Sequence, residues 1–343
     1  MRLQALSFSA LIVAMAASSV GACSRSTLVD DGATCIDGPL PLTRAIPAAM
    51  LLLDRSESMS APMDGQGFSV TRWDALGSAL AATLPAIDSS TQLGALLFPA
   101  SPNSGNCSVS KEPQLAPASG NGSAVLSILQ HNVPGGATPT DWALESAATA
   151  LLATRTLASA RAMVIATDGG PDCNIGLDVA TCRCTMESGS CVIPTQCLDD
   201  RRTIDHIAKY REQGLYTYVI GIQSTGDSSF SDVLDAMAVA GGRPQPNAPQ
   251  KYYAARSPEE LNAAMVAIGQ LVGACVFLTN TVPNVGSTLV LNLDGIDLAE
   301  NKWSWQDRDN GELVLDAAVC SQLRVAANPK LTARIACAPS NAI

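Results

Sequence analysis

Aromatic and basic residues are both scarce in this chain of 343 residues. Only 4% of the residues are aromatic, and 31 acidic residues outnumber 21 basic ones, which gives a formal net charge of -10. No cluster of lysine and arginine stands out along the sequence. Binding to nucleic acid needs concentrated positive charge for the phosphates and aromatic rings for the bases. The composition therefore argues against a nucleic-acid partner.

Histidine is scarcer still, since the chain has only His131 and His206. Neither lies near a nucleophile motif, and the Gly-x-Ser-x-Gly elbow of serine hydrolases does not occur. A phosphatase-like role for Asp54 usually requires a second aspartate two residues later, but the residue at that position is Ser56. We therefore expect a protein that is not an enzyme.

Long apolar stretches are absent after the first 20 or so residues, and no later segment is long enough to span a bilayer. The start is different, because Leu3 to Val20 is apolar and small and is followed by Gly21-Ala22-Cys23. This pattern predicts a signal peptide over residues 1–22, and it is similar to the signal of bacterial lipoproteins, although Gly21 is a less usual occupant. Cleavage would leave Cys23 as the lipidated first residue. The alternative is an ordinary secretory signal with Cys23 free or bridged.

A lipidated Cys23 would anchor the protein to a membrane. Each buried methylene adds about 0.8 kcal/mol to membrane binding, so several acyl chains would hold the protein stably. The residues that follow are mostly small and polar, and we assign residues 23–46 to a lipidated tether. The expected location is the bacterial cell envelope, with the outer membrane favoured, and the lipid anchor is the expected contact with the membrane.

Cysteine is plentiful, with 11 residues. Without Cys23 the number is even, which permits complete pairing in an oxidising compartment. Five cysteines crowd into one segment of the chain: Cys173, Cys182, Cys184, Cys191 and Cys197. A Cys-x-Cys pair in such a cluster could bind zinc, but exported thiols are oxidised, so disulfides are favoured. We predict a disulfide-stapled insertion at residues 173–197, joined to Cys107, with the pairing inside the cluster left open.

Oxygen-bearing side chains stand at three separated points of the chain. Asp54, Ser56 and Ser58 follow a short apolar run that predicts a buried strand. Thr138 lies in a segment that opens a helix, and Asp168 ends a second apolar strand. Taken singly, serines cap helices and aspartates form turns. Together, at strand ends, these oxygens favour a site for Mg²⁺ or another hard divalent cation.

The three segments, in this order, resemble the metal-ion-dependent adhesion site of the von Willebrand factor type A domain. The resemblance covers roughly residues 47–275, and all five family positions carry the expected residue type. It implies a cation that keeps excess positive charge and an open coordination position, which a carboxylate from a partner protein fills. Mg²⁺ is the expected ion, with Mn²⁺ and Ca²⁺ left open. One departure is Glu57, where bacterial relatives commonly carry glycine; its carboxylate either points to solvent or weakens the binding of an anionic ligand.

Apolar runs alternate with helical patterns between residues 47 and 275, which predicts a doubly wound α/β domain with a mostly parallel sheet. This Rossmann-like arrangement is also what the resemblance implies. Ligands of such sheets bind beyond the carboxyl ends of the strands, where all the proposed metal loops fall. The residues before the first strand and after the last helix should meet at the opposite edge. We therefore predict a Cys35–Cys275 bridge that closes the domain.

The pattern changes in residues 276–343. Strand-like apolar runs are separated there by the turn signals Asp294-Gly295 and Asn310-Gly311. We predict a small β-rich module, stapled by a Cys320–Cys337 disulfide because so short a segment buries little core.

Two function classes remain. The leading one is a cell-surface adhesion or protein-binding lipoprotein that contacts an acidic group of its ligand through Mg²⁺. The alternative is a structural or scaffolding component of an envelope complex, in which the metal site is not essential.

Overall fold

The computed structural model describes residues 38–63, 70–154, 161–186, 189–223, 229–245, 248–272, 276–283, 287–308, 311–325 and 329–337. The predicted signal peptide, Cys23, and the predicted Cys35–Cys275 bridge lie outside these residues and stay predictions. Within the described ranges, no helix has both the length and the apolar character that crossing a bilayer requires.

Strands and helices alternate through the middle of the chain. In chain order the strands are β1 (Gly38–Leu40), β2 (Leu42–Arg44), β3 (Ala48–Asp54), β4 (Gln92–Phe98), β5 (Leu115–Ala118), β6 (Arg161–Thr167), β7 (Leu215–Ile222), β8 (Tyr253–Ala255), β9 (Val276–Thr279), β10 (Ser287–Leu293), β11 (Ile296–Asp297), β12 (Trp303–Asp307), β13 (Glu312–Leu315) and β14 (Leu331–Cys337). The helices are α1 (Arg72–Ile87), α2 (Gly122–Gln130), α3 (Thr140–Ala153), α4 (Asp200–Glu212), α5 (Ser231–Ala240), α6 (Pro258–Val272) and α7 (Ala317–Val325).

A six-stranded sheet organises the larger domain. Its strand order is β5-β4-β3-β6-β7-β8. The neighbouring strands from β4 to β8 pair in parallel, and only the edge strand β5 pairs antiparallel, with β4. The predicted α/β class with a mostly parallel sheet is confirmed.

Helices cover both faces of this sheet. Leu51 and Leu53 of β3 pack in one core with residues of α1, α2 and α6. Met50 and Leu52, which alternate with them, pack in a second core with residues of α3, α4 and α5. Successive side chains of a strand point to opposite faces, so a strand buried on both sides reads as a continuous apolar run. The two cores make the sheet doubly wound, as predicted.

A smaller module is built from both flanks of the larger domain. It has two four-stranded sheets, ordered β1-β14-β10-β11 and β12-β13-β9-β2. Strands β1 and β2 precede the larger domain in the chain and pair antiparallel with β14 and β9, which follow it. The prediction of a tether is therefore wrong for residues 38–44, because their backbone belongs to these sheets and Leu40 is buried in the module's core.

The β-rich character predicted for residues 276–343 is confirmed, with one addition. Helix α7 was not predicted, and it places Val319 and Cys320 in the same core as Leu291 and Leu313. Cys320 and Cys337 are each disulfide-bonded. Their pairing with one another stays a prediction.

Replacing Leu40 tests whether residues 38–44 belong to the module. Leu40 is 7% exposed, so Leu40→Ala should lower the module's free energy of unfolding by about 2–5 kcal/mol. Ile296→Ala, in β11 of the same module at a position that is 73% exposed, should cost less than about 0.5 kcal/mol. Hydrogen exchange of the β14 amides is the measurement. If Leu40→Ala leaves this exchange unchanged, residues 38–44 do not stabilise the module and the tether assignment stands.

Candidate metal centre

Two carboxylates lie at the carboxyl end of adjacent strands. Asp54 is the last residue of β3, and Asp168 directly follows β6. Because β3 and β6 pair in parallel, both side chains reach the same edge of the sheet. Asp54 is 0% exposed and Asp168 is 5% exposed. The edge therefore carries two acidic groups that are removed from water.

Ser56 and Ser58 connect these two carboxylates through a backbone N–H and two hydroxyl groups. Asp54 Oδ1 accepts a hydrogen bond from the backbone N–H of Ser56 at 2.7 Å. The Ser56 and Ser58 hydroxyls are 3.1 Å apart, and Ser58 Oγ donates to Asp168 Oδ1 at 2.8 Å. A short 3-10 helix, Glu57–Ser60, begins right after Ser56 and brings the serines together. Four of the five predicted ligands thus form one continuous chain of contacts, which we call the oxygen chain.

The fifth predicted ligand, Thr138, lies in a loop whose preceding glycines reach the same edge through backbone hydrogen bonds. Gly136 C=O accepts from the N–H of Glu57 at 3.1 Å, and Gly135 N–H donates to the Arg55 carbonyl at 2.7 Å. Thr138 is 7% exposed. Among the described residues, its hydroxyl makes no hydrogen bond to the oxygen chain. The structure therefore brings its loop to the site without joining its side chain to the other four.

Only glycine allows the loop before Thr138 to come this close. A Cβ on Gly135 would lie 2.1 Å from the carbonyl oxygen of Pro102, and its φ is +154°. A Cβ on Gly136, whose φ is +90°, would lie 2.5 Å from Pro99 Cγ. The Gly-Gly pair is therefore required by close backbone approach as well as by its dihedral angles.

Two further side chains bind the carboxylates and were not predicted. Thr167 Oγ1 donates to Asp54 Oδ2 at 2.5 Å. Arg72 Nη1 donates to Asp168 Oδ2 at 2.6 Å, and this ion pair is almost fully buried. Arg72 is the first residue of α1 and follows the helix cap Thr71. Nothing in the local pattern distinguishes it from an ordinary exposed arginine in a first helical turn.

Burial dominates the electrostatics of the pair. It raises the pKa of Asp54 to about 7, and the charge of Asp168 adds to this rise. Burial also raises the pKa of Asp168, against the opposing effect of Arg72. With Arg72 as their one ion-pair partner among the described residues, the two carboxylates are short of positive charge when both are ionised. Two carboxylates and two hydroxyls are hard oxygen donors, so the group fits a divalent cation such as Mg²⁺.

Arg55 is a second buried cation beside this edge, and it was also missed. It is 4% exposed, and burial lowers its pKa. Its Nε donates to the Pro99 carbonyl and its Nη1 to Asn132 Oδ1, each at 2.7 Å. The side chain therefore ties the loop after β3 to the segments after β4 and α2.

The edge is open to solvent on one side. Ser58 and Glu57 are both exposed. Of the two alternatives for Glu57, its exposure agrees with a carboxylate that points to solvent. An incoming ligand could thus reach the serine end of the oxygen chain.

Disulfides, and not zinc, account for the cysteine cluster. The bridges are Cys107–Cys173, Cys182–Cys197 and Cys184–Cys191. The sulfurs of Cys182, Cys191 and Cys197 lie close together, but all three are oxidised and so lack the thiolates that zinc requires. The predicted link from the cluster to Cys107 is confirmed.

Removing Arg72 tests the charge balance of the edge. With chelator present, Arg72→Met should lower the free energy of unfolding by about 3–5 kcal/mol, because it leaves Asp168 buried without its cation. Arg183→Met is the matched control, since it breaks an ion pair whose side chains are 46% and 68% exposed. That loss should stay below about 1 kcal/mol. Urea unfolding measures both, and equal losses would contradict the prediction.

Comparison with protein-family models gives no match, and comparison with curated proteins gives none either. Among solved structures, the PilB minor pilin from Streptococcus sanguinis is 16% identical with a TM-score of 0.45, covering 67% of this chain and 62% of the pilin. The vWF domain of the type V pili tip protein Mfa5 from Porphyromonas gingivalis is 12% identical with a TM-score of 0.43, covering 66% of this chain and 95% of that one. Manganese-loaded TRAP from Plasmodium vivax is 18% identical with a TM-score of 0.45, covering 71% and 80%. These likenesses are distant, and the doubly wound α/β assignment rests on the strand order and the two helical layers.

Proposed function

We propose that the protein is a cell-surface binding protein that holds a divalent cation at this edge and uses it to bind an acidic group of a protein partner. The oxygen chain from Asp54 to Asp168 is the observation that carries the proposal. Mg²⁺ is the proposed ion, because it prefers oxygen ligands and keeps several waters. Mn²⁺ and Ca²⁺ use the same kind of ligand.

The proposed ligands are Asp54, Ser56, Ser58, Thr138 and Asp168. Two of the four groups in the oxygen chain are neutral hydroxyls, so few carboxylates are available to neutralise the ion. Thr138 supplies a third hydroxyl from a loop that is fixed at the same edge. This set is that of the metal-ion-dependent adhesion site that the sequence resembles.

Charge explains why an acidic partner would be preferred. Arg72 already compensates one of the two buried carboxylates. A divalent cation added to the two carboxylates and Arg72 leaves these groups with one net positive charge, and the buried Arg55 beside the edge adds to it. A carboxylate entering from the exposed serine side would be attracted strongly, because the surroundings are partly desolvated. The proposed activity is binding, without a bond made or broken.

The proposed location is the outside of a bacterial cell envelope, with Cys23 lipidated. The N-terminal signal pattern supports export. The disulfides add support, because such bridges persist in oxidising compartments. The outer membrane is the proposed attachment.

Calorimetric titration with Mg²⁺ tests the site. Wild-type protein should show saturable binding, Asp54→Ala should abolish it, and Ser56→Ala should weaken it more than about tenfold. Ser123→Ala is the matched control, because Ser123 is exposed and lies in α2, outside the oxygen chain and the loops that form it. It should bind as wild type does. Wild-type affinity in Asp54→Ala would remove these residues from the metal site.

Water relaxation with Mn²⁺ tests the open coordination position. Protein-bound Mn²⁺ should enhance the relaxation of water protons, since the ion keeps exchangeable waters. Acetate should reduce this enhancement by displacing a water, whereas the uncharged analogue acetamide should not. If acetate has no effect, the bound ion does not bind carboxylates, and the result favours the alternative of a scaffolding component.

A further inference from the structure

The loop that carries Thr138 is held from two sides. Ala137 N–H donates to the Asn106 carbonyl at 3.0 Å. On the other side, Thr138 N–H donates to Asp172 Oδ1 at 2.8 Å, and Asp172 N–H donates to the Thr138 carbonyl at 3.0 Å. The backbone of Ala137 and Thr138 therefore lies between Asn106 and Asp172.

A single disulfide joins the two residues that follow these partners. Cys107 comes directly after Asn106, Cys173 comes directly after Asp172, and the two form a bridge with a Cα–Cα distance of 5.6 Å. The bridge spans a sequence separation of 66 residues, so it links the segment after β4 to the segment after β6. Together with the hydrogen bonds of Asn106 and Asp172, the disulfide encloses the Thr138 backbone. We call Asn106, Cys107, Asp172 and Cys173 the bracket.

The bracket is buried and conformationally fixed on the side of β6. Cys173 is 0% exposed and Asp172 is 7% exposed. Cys173 has a φ of +74°, in the left-handed region that residues other than glycine rarely adopt. Such a conformation persists only where the surroundings determine it. Here the disulfide and a hydrogen bond from Cys173 N–H to the Thr195 carbonyl, at 3.0 Å, both hold it.

The other two bridges do not join separate segments in this way. Cys182–Cys197 and Cys184–Cys191 have sequence separations of 15 and 7 residues and close loops inside the insertion. Thr185, next to Cys184, contacts Asp172 only at 3.4 Å, and its hydroxyl and N–H are both satisfied by the Gln196 carbonyl. Cys184–Cys191 is therefore a disulfide of the same insertion that contributes little to the position of the Thr138 backbone.

We propose that Asp172 and the Cys107–Cys173 disulfide are positioning elements of the metal site, which set the place of Thr138 before the cation arrives. This inference rests on the proposed function. A ligand oxygen must sit within about 0.5 Å of its productive position to bind a metal well. A loop that is already ordered loses no further conformational entropy on binding, so the affinity of the site is higher. The cysteine-rich insertion thereby gains a role in metal affinity, through Cys173, which fixes the neighbouring Asp172.

Matched disulfide variants test the proposal. Mg²⁺ affinity is measured by calorimetry, and the unfolding temperature is measured with chelator present. Cys107→Ser/Cys173→Ser should raise the Kd about tenfold or more, whereas Cys184→Ser/Cys191→Ser should stay within about twofold of wild type. Equal affinities in all three proteins, or equal losses in both variants, would overturn the proposal.

A second pair of variants keeps the disulfide and serves if the first double variant does not fold. Asn at position 172 still offers an oxygen to the Thr138 N–H, whereas Ala offers none. Asp172→Ala should raise the Kd about tenfold, and Asp172→Asn should stay within about threefold. Equal losses would assign the effect to charge and overturn the proposal. Wild-type protein that fails to bind Mg²⁺ would instead refute the proposed function, so the two failures are distinguishable.

Discussion

Two carboxylates buried side by side at one edge of a sheet need positive charge to remain ionised. Taking an ionised carboxylate out of water costs several kcal/mol unless a partner compensates it. Arg72 compensates Asp168, whereas Asp54, within the described part of the chain, accepts hydrogen bonds from Thr167 and Ser56 and forms no ion pair. The arrangement of serines, glycines and loops around this pair makes sense as the enclosure of a cation. The proposed binding function depends on that one electrostatic requirement.

The fold separates this edge from the smaller module. The chain enters β3 at Ala48, the end of the strand opposite to Asp54. Just before this entry, Ala45 N–H donates to the Val276 carbonyl at 2.9 Å, so the two connections between the domain and the module run side by side. Both connections therefore lie at the end of β3 that is opposite to Asp54. The proposed metal site lies at the end directed away from the attachment.

Local patterns predicted the parts of the fold that depend on local residues. Strands β6 and β7 are almost wholly buried, and such strands are the apolar runs from which the mostly parallel sheet was predicted. Strand β5 was missed because it contains Pro117, which only an edge strand tolerates. The short strands β1 and β2 were assigned to a tether, because the strands that pair with them lie at the other end of the chain. In the site, the residues at strand ends were predictable, whereas Arg72 and Asp172 were not, because only the tertiary fold brings them to Asp168 and Thr138.

Anomalous X-ray scattering from a crystal grown with Mn²⁺ tests the central claim most directly, because it locates the ion without reference to affinity. The account predicts one strong peak at this edge, within about 2.0–2.6 Å of the Ser56 and Ser58 hydroxyl oxygens. A peak at some other place, or an edge without a peak in which Ser58 still donates to Asp168, would contradict it.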